Sequence, residues 1–221
     1  MKNIVLIGAP GSGKGTQGDF LKNEFNLHKI ALGDILRLYR KNKEGHLSEK
    51  INELLDSGKL LPDEIVNAVA EDFIKKNIQN YNSLMFDGYP RSVCQAKFLD
   101  EMLAKSNTKI DTVIMLDIKL ESLIERLQNR YTCVKCGAIY NRKTHKTKIK
   151  DICDECGSSE FIIRKDDGEI SVIQTRFIEF QEKTIPVIEY YKKQNKLISI
   201  NALGEIEDVN ITIMKVLDLI I

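Results

Sequence analysis

Short apolar runs alternate with amphipathic stretches along most of this chain. Runs rich in branched residues occur at Ile4 to Ile7, Lys29 to Leu32, Leu84 to Asp87, Val113 to Asp117 and Leu197 to Ile200, and each reads as a buried strand. Helical spacing of apolar positions fills the gaps. Phe20, Leu21 and Phe25 mark a helix from Lys14 to Phe25. Pro62 opens another, with Asp63 and Glu64 in its first turn, where the helix field favours acids. Its apolar face is Ile65, Val66, Val69, Phe73 and Ile74. Leu120, Leu123, Ile124 and Leu127 predict a helix from Leu120 to Arg130. Ile170 to Lys193 reads as one long helix with a kink or break at Pro186, and Glu205 to Leu219 as a last helix. Alternation of this kind predicts an α/β fold: a parallel sheet with helices on both faces.

One segment departs from the pattern. Tyr131 to Gly168 is polar and lacks helical periodicity. It holds four of the five cysteines, as Cys133-x2-Cys136 and Cys153-x2-Cys156 with sixteen residues between the pairs. Two Cys-x2-Cys turns present four thiolates to one metal ion. Gly137 and Gly157, each just after a pair, permit the tight turn that brings backbone N–H groups near sulfur. Four thiolates leave no open position, so the metal is expected to be structural: zinc, with iron as the alternative. Cys94 lies apart from them.

With 221 residues and a net charge of +1, charges well mixed, the chain has neither a nucleic-acid tail nor a polybasic membrane patch. No apolar run approaches the ~20 residues that span a bilayer. A cytoplasmic, monomeric protein is expected. The first strand leads into Gly8-Ala9-Pro10-Gly11-Ser12-Gly13-Lys14-Gly15-Thr16, which fits the phosphate-loop pattern G-x-x-x-x-G-K-[ST] except that Gly15 stands at the hydroxyl position and Thr16 follows. Glycines let successive N–H groups face one phosphate, the helix start adds a favourable field, and Lys14 supplies a point charge. The three histidines, His28, His46 and His145, lie outside every motif, and no Ser-His-Asp set is present.

Further motifs join the loop. Phe86-Asp87-Gly88-Tyr89-Pro90-Arg91 is followed by Gln95, and Arg164-Lys165-Asp166-Asp167 by Arg176. In this order they resemble the adenylate kinase family, in the long form with a zinc-bound lid, from residue 2 to about residue 215. The resemblance implies a five-stranded parallel core over 1–221 with two insertions, a monophosphate-binding arm at 31–61 and a lid at 129–167. It implies reversible transfer from ATP to AMP giving two ADP, with Mg2+. By that resemblance Gly11, Ser12, Gly13, Lys14, Gly15 and Thr16 hold the ATP phosphates, with Arg126, Arg130, Ile139, Tyr140 and Gly204 as further ATP contacts. Asp87 holds the metal through water. Leu32, Arg37, Lys59, Leu60, Leu61, Gly88, Tyr89, Pro90, Arg91 and Gln95 form the AMP site, Gln95 reading the base, while Arg164 and Arg176 span both nucleotides. The lid is expected to hinge near Gln128–Tyr131 and Lys165–Gly168.

Two departures stand out. Leu32-Gly33-Asp34 replaces the usual T-G-D, which is expected to narrow selectivity for AMP, and Lys148-Ile149-Lys150 replaces a Pro-Pro before the second cysteine pair. A nucleoside monophosphate kinase of broader acceptor range (CMP, UMP) is the nearest alternative. A zinc-ribbon nucleic-acid binder is the remote one, on Arg142, Lys143, Lys146, Lys148 and Lys150, but nearby acids offset these cations and no aromatic platform accompanies them.

Overall fold

A computed structural model describes residues 3–36, 61–77, 81 and 83–218. Five strands form the main sheet: β1 (Asn3–Gly8), β2 (His28–Ala31), β3 (Leu84–Asp87), β4 (Ile110–Asp117) and β8 (Leu197–Asn201). All pair in parallel, in the order β2-β3-β1-β4-β8. All six residues of β1 are buried, as a central strand covered on both faces requires. The chain leaves β1 for one side of the sheet and later returns on the other. The carboxyl end of β1 is therefore the topological switch point, where such sheets open a ligand crevice.

The helices fall into two groups. α1 (Lys14–Glu24) packs with α8 (Ile206–Asp218), and Gln17 ties them by donating from Nε2 to the Ile206 carbonyl at 2.9 Å. α2 (Asp63–Asn77), α3 (Val93–Lys105) and α7 (Ile185–Lys192) pack together elsewhere on the sheet. Ser92 caps α3, its hydroxyl accepting from Gln95 N. Between β4 and β8 lie α4 (Leu120–Gln128), a small antiparallel sheet β6-β5-β7, α5 (Lys165–Gly168) and α6 (Ile170–Glu179). The small sheet comprises β5 (Arg130–Cys133), β6 (Ile139–Asn141) and β7 (Phe161–Ile162). Among the described residues no helix is long and apolar enough to cross a membrane.

The five predicted strands are all present. Three expectations change. The helix from Leu120 ends at Gln128, and Arg130 instead opens β5, paired with Asn141, because the alternation of the small sheet starts there. Leu32 is helical (32–36) and not the last residue of β2. The long helix does not break at Pro186. It widens upstream into a π segment, Phe180–Thr184, where Ile185 N–H donates to Phe180 O, five residues back. Proline has no N–H and crowds the preceding turn, and the wider turn accommodates both defects.

Candidate active site

The loop after β1 is built to leave backbone N–H groups facing outward. Gly11 has φ 87°, and a Cβ there would come within 2.8 Å of Leu127 Cγ, so backbone and packing both demand glycine. Ser12 N–H donates to Ala9 O at 3.1 Å and closes the curl. Gly13 then starts α1 with no side-chain cap, leaving the helix start open to an anion. Lys14 folds back over the loop and donates to Gly8 O at 2.7 Å and Ala9 O at 2.9 Å.

These residues floor a cleft of about 1620 Å³ between the main sheet and the small one. A single small ligand fills roughly 300–1,000 Å³, so the cleft has room for two. Lys14, Arg91, Arg126, Arg130, Arg164 and Arg176 all line it, as does Asp87. Although Lys14 keeps some exposure to the cleft, its ammonium lies deep enough that burial pulls its pKa down to about 7; Asp87 opposes this, while Arg91, Arg176 and Arg130 add to it. Among the described residues of the cleft wall, cations are thus gathered around Lys14, a field suited to an anionic ligand.

Asp167 organises two of them. It is fully buried, pairs with Arg130 through Nε (2.6 Å) and Nη2, and accepts from Arg176 Nη1 at 2.9 Å. The sequence places Asp167 in the Arg164-Lys165-Asp166-Asp167 motif and gives it no role of its own. Its position on the one-turn helix α5 cannot be inferred from spacing. Arg91 is held at the other end, where Nε donates to Gly88 O at 2.7 Å and its carbonyl accepts from Thr184 Oγ1 at 3.0 Å. Arg126, at the end of α4, donates from Nη2 to Ala202 O at 2.7 Å and Gly204 O at 3.4 Å, tying that helix to the turn after β8. Burial lowers its pKa from a guanidinium's very high value, and it stays charged.

Gly11 to Thr16, Asp87, Gly88, Pro90, Ile139 and Gly204 also line the cleft. Four residues expected at the acceptor site do not. Leu32 and Leu61 are buried in the main core, at 2% and 6% exposure. Tyr89 is buried at 1%, its hydroxyl donating to Asn67 Oδ1 at 2.9 Å. Gln95, 2% exposed, spends both ends of its amide inside the protein: Oε1 accepts from Arg91 N at 2.8 Å and Nε2 donates to Asp63 Oδ1 at 2.7 Å. Tyr140 touches the cleft but belongs mainly to the core of the small sheet, its hydroxyl accepting from Asp154 N at 2.8 Å and meeting Cys153 Sγ at 3.4 Å. Arg37, Lys59 and Leu60, with most of 31–61, lie outside the described residues.

The four cysteines converge. Their sulfurs all lie within 4.8 Å of one another, with Cys133 Sγ to Cys156 Sγ at 3.6 Å and Cys136 Sγ to Cys153 Sγ at 3.5 Å. Zn–S bonds of about 2.3 Å place tetrahedral sulfurs roughly 3.8 Å apart, so the cage has the size of a four-thiolate zinc site. Gly137 (φ 79°) and Gly157 (φ 71°) turn the chain so that their N–H groups reach Cys133 O and Cys153 O. N–H groups of Cys136 and Lys135 point at Cys133 Sγ and lower its pKa, against burial. Cys153 falls to about 6 because the Tyr140 hydroxyl and the N–H groups of Cys156 and Glu155 outweigh its burial. These donors favour the thiolate at Cys133 and Cys153, while at Cys136 the Ala138 N–H is outweighed by burial and the facing sulfurs, which push the thiol up to about 12.

Residues 6–196 match a protein-family profile described as Adenylate kinase. The chain is 35% identical over 216 residues to the adenylate kinase of Ruminiclostridium cellulolyticum, covering 97% of this chain and 98% of that one. Against the adenylate kinase of Rickettsia africae identity is 40% over 214 residues, again 97% of this chain and 98% of the relative. For the adenylate kinase of Mycoplasma mycoides it is 38% over 200 residues, covering 90% and 91%. The open phosphate loop, the convergent arginines and the two-ligand cleft agree with these matches: the chain belongs to the adenylate kinase family.

Proposed function

We propose that the protein transfers the terminal phosphoryl group of ATP to AMP, reversibly, giving two ADP. The observation that carries this reading is the set of arginines around Lys14, whose own charge is disfavoured until an anion arrives. Polyphosphate supplies that anion, and phosphoryl transfer asks of the protein little beyond in-line positioning and positive charge.

The roles follow from position. Backbone N–H groups of the 11–16 loop cradle the ATP phosphates, and Lys14 swings from the Gly8 and Ala9 carbonyls onto the transferred group. Arg91 grips the acceptor phosphate, with Arg37 as its partner. Arg130 and Arg176, spaced by Asp167, straddle the group in flight, and Arg164 joins them. Arg126 and Gly204 border the ATP base, while Gly88 and Pro90 line the acceptor side. Residues 31–61 serve as the acceptor arm and 129–167 as the lid. Closing the lid brings its arginines in and keeps water out.

Thr16 and Asp87 offer hard oxygen donors beside Lys14 and would hold the Mg2+ that accompanies ATP. When bound, that ion offsets charge on the phosphates. Cys133, Cys136, Cys153 and Cys156 would hold zinc, which supplies rigidity to the lid and no chemistry. A cytoplasmic monomer without nucleic-acid partners completes the reading.

The test is a coupled assay with ATP and Mg2+ over AMP, dAMP, CMP, UMP and GMP. AMP should be the preferred acceptor. Absence of transfer to AMP, or equal rates on CMP or UMP, would overturn the assignment.

A further inference from the structure

Lys29 is not part of any motif, yet it sits where a cation is next expected. It lies on β2, its side chain only 12% exposed. Gly18 of α1 leaves room for its stem: a Cβ there would come within 3.2 Å of Lys29 Cε. The ammonium donates to Gly15 O at 3.1 Å and Asp19 Oδ1 at 2.8 Å, and stands 3.5 Å from Asp87 Oδ2. Asp34 adds to the same field. Asp19, Lys29, Asp34 and Asp87 all line the nucleotide cleft. One lysine thus pairs with two carboxylates, Asp19 and Asp87, beside the phosphate loop.

We infer that Lys29 is a resident counter-cation: paired with Asp87 and Asp19, it offsets the Asp87 carboxylate in the nucleotide-free protein, so that a divalent metal enters only together with ATP. Without it, Asp87 would lose its 3.5 Å ion pair and draw free Mg2+ or Mn2+ more strongly, and metal bound ahead of nucleotide would occupy the carboxylate in the wrong order. Lys29 stays charged throughout, since burial, which disfavours its charge, is outweighed by the ion pairs with Asp87 and Asp19 and by the charge of Asp34. Its links to Gly15 O and to Asp87 also hold the phosphate loop and that carboxylate in one register, which makes Lys29 a positioning residue and not a catalytic one. The inference rests on reading the cleft as an ATP–metal site.

The experiment is a Mn2+ titration of the zinc-loaded, nucleotide-free protein, followed by electron paramagnetic resonance of free Mn2+. Wild type should bind no Mn2+ that Asp87→Asn abolishes. Lys29→Gln, which keeps a donor for the Gly15 carbonyl, should gain Mn2+ binding at least about tenfold tighter than any that wild type shows, the scale of one unit charge acting over a few ångströms of a partly wet cleft. Lys29→Arg should behave as wild type, and Lys29→Gln combined with Asp87→Asn should lose the gain. Four results would overturn the inference: Asp87-dependent Mn2+ binding in wild type, no gain in a folded Lys29→Gln, an equal gain in Lys29→Arg, or a gain that survives Asp87→Asn. The titration involves no turnover and no acceptor, so its failure is separate from failure of the acceptor panel.

Discussion

Asp167→Asn tests the arrangement of the arginines directly. The change keeps the shape of the side chain and removes its charge. In the native structure that carboxylate is fully buried and answers both Arg130 and Arg176. Breaking a buried pair from one side costs about 3–5 kcal/mol, because the partner is left uncompensated. Here both guanidiniums reach the cleft, at 15% and 17% exposure, and water can partly repay them. The lower end, about 3 kcal/mol, is therefore expected. For a chain of 221 residues each kcal/mol moves the melting point by about 2–4 °C, so Tm should fall by roughly 6–12 °C. Relaxed arginines also leave the transferred group less well held. Misplacement by about an ångström costs on the order of 100-fold in rate, so kcat should drop by about that factor while KM for ATP changes less. Differential scanning fluorimetry and steady-state kinetics on one preparation give both numbers. A variant melting within about a degree of wild type with unchanged kcat would show that Asp167 neither spaces the arginines nor stabilises the fold.

Three further outcomes are expected. Lys14→Met should lose about 100- to 1,000-fold in kcat yet melt higher than wild type at neutral pH. The unfolded lysine titrates at 10.5 and the folded one near 7, so the unfolded chain binds more protons between them and wild-type stability rises with pH across that window. The variant should lack that component, and Tm measured from pH 7 to 9.5 with parallel slopes for the two proteins would refute it. Cys133→Ser, or removal of the metal, should lower the stability of Tyr131–Gly168 while leaving the main sheet folded; elemental analysis that finds neither zinc nor iron in the native protein would sink the site. Leu32→Thr should destabilise by roughly 1–3 kcal/mol, since it places a hydroxyl in the core, and should leave the AMP:CMP:UMP ratios of kcat/KM unaltered. A gain in AMP selectivity would restore residue 32 to the acceptor site.

Much of this was legible before any coordinates. Buried parallel strands are apolar on both faces, so runs such as Ile4–Ile7 and Val113–Asp117 stand out from any background. The phosphate loop and the cysteine pairs are local constellations, set by spacing over a few residues. What stayed hidden depends on partners far apart in sequence. Asp167 meets Arg130 from 37 positions away, and Lys29 meets Asp87 from 58, with no periodicity to announce either pair. Resemblance also located positions without their orientations. Leu32, Tyr89 and Gln95 stand in the expected order, yet their side chains turn into the core, because whether a residue faces cleft or interior is decided by neighbours such as Asn67 and Asp63. Arg130 was assigned to a helix because apolar spacing defines a helix face but not its last residue.

The widened turn at Phe180–Thr184 sets the angular phase between the two halves of a long helix. Upstream, Ile173 must face inward while Arg176 reaches Asp167. Downstream, Val187, Ile188 and Tyr191 must face the core. An unbroken α-helix advances about 100° per residue, and the extra residue taken up by the wide turn offsets the half before it from the half after by about that angle, the phase at which Arg176 meets Asp167. Deleting Gln181, which is exposed within the wide turn, would return the helix to an even pitch. It would also swing Arg176 about a quarter turn away from Asp167. The irregularity works like a gear offset: it lets a rigid rod anchored in the core present its arginine at the angle the cleft requires.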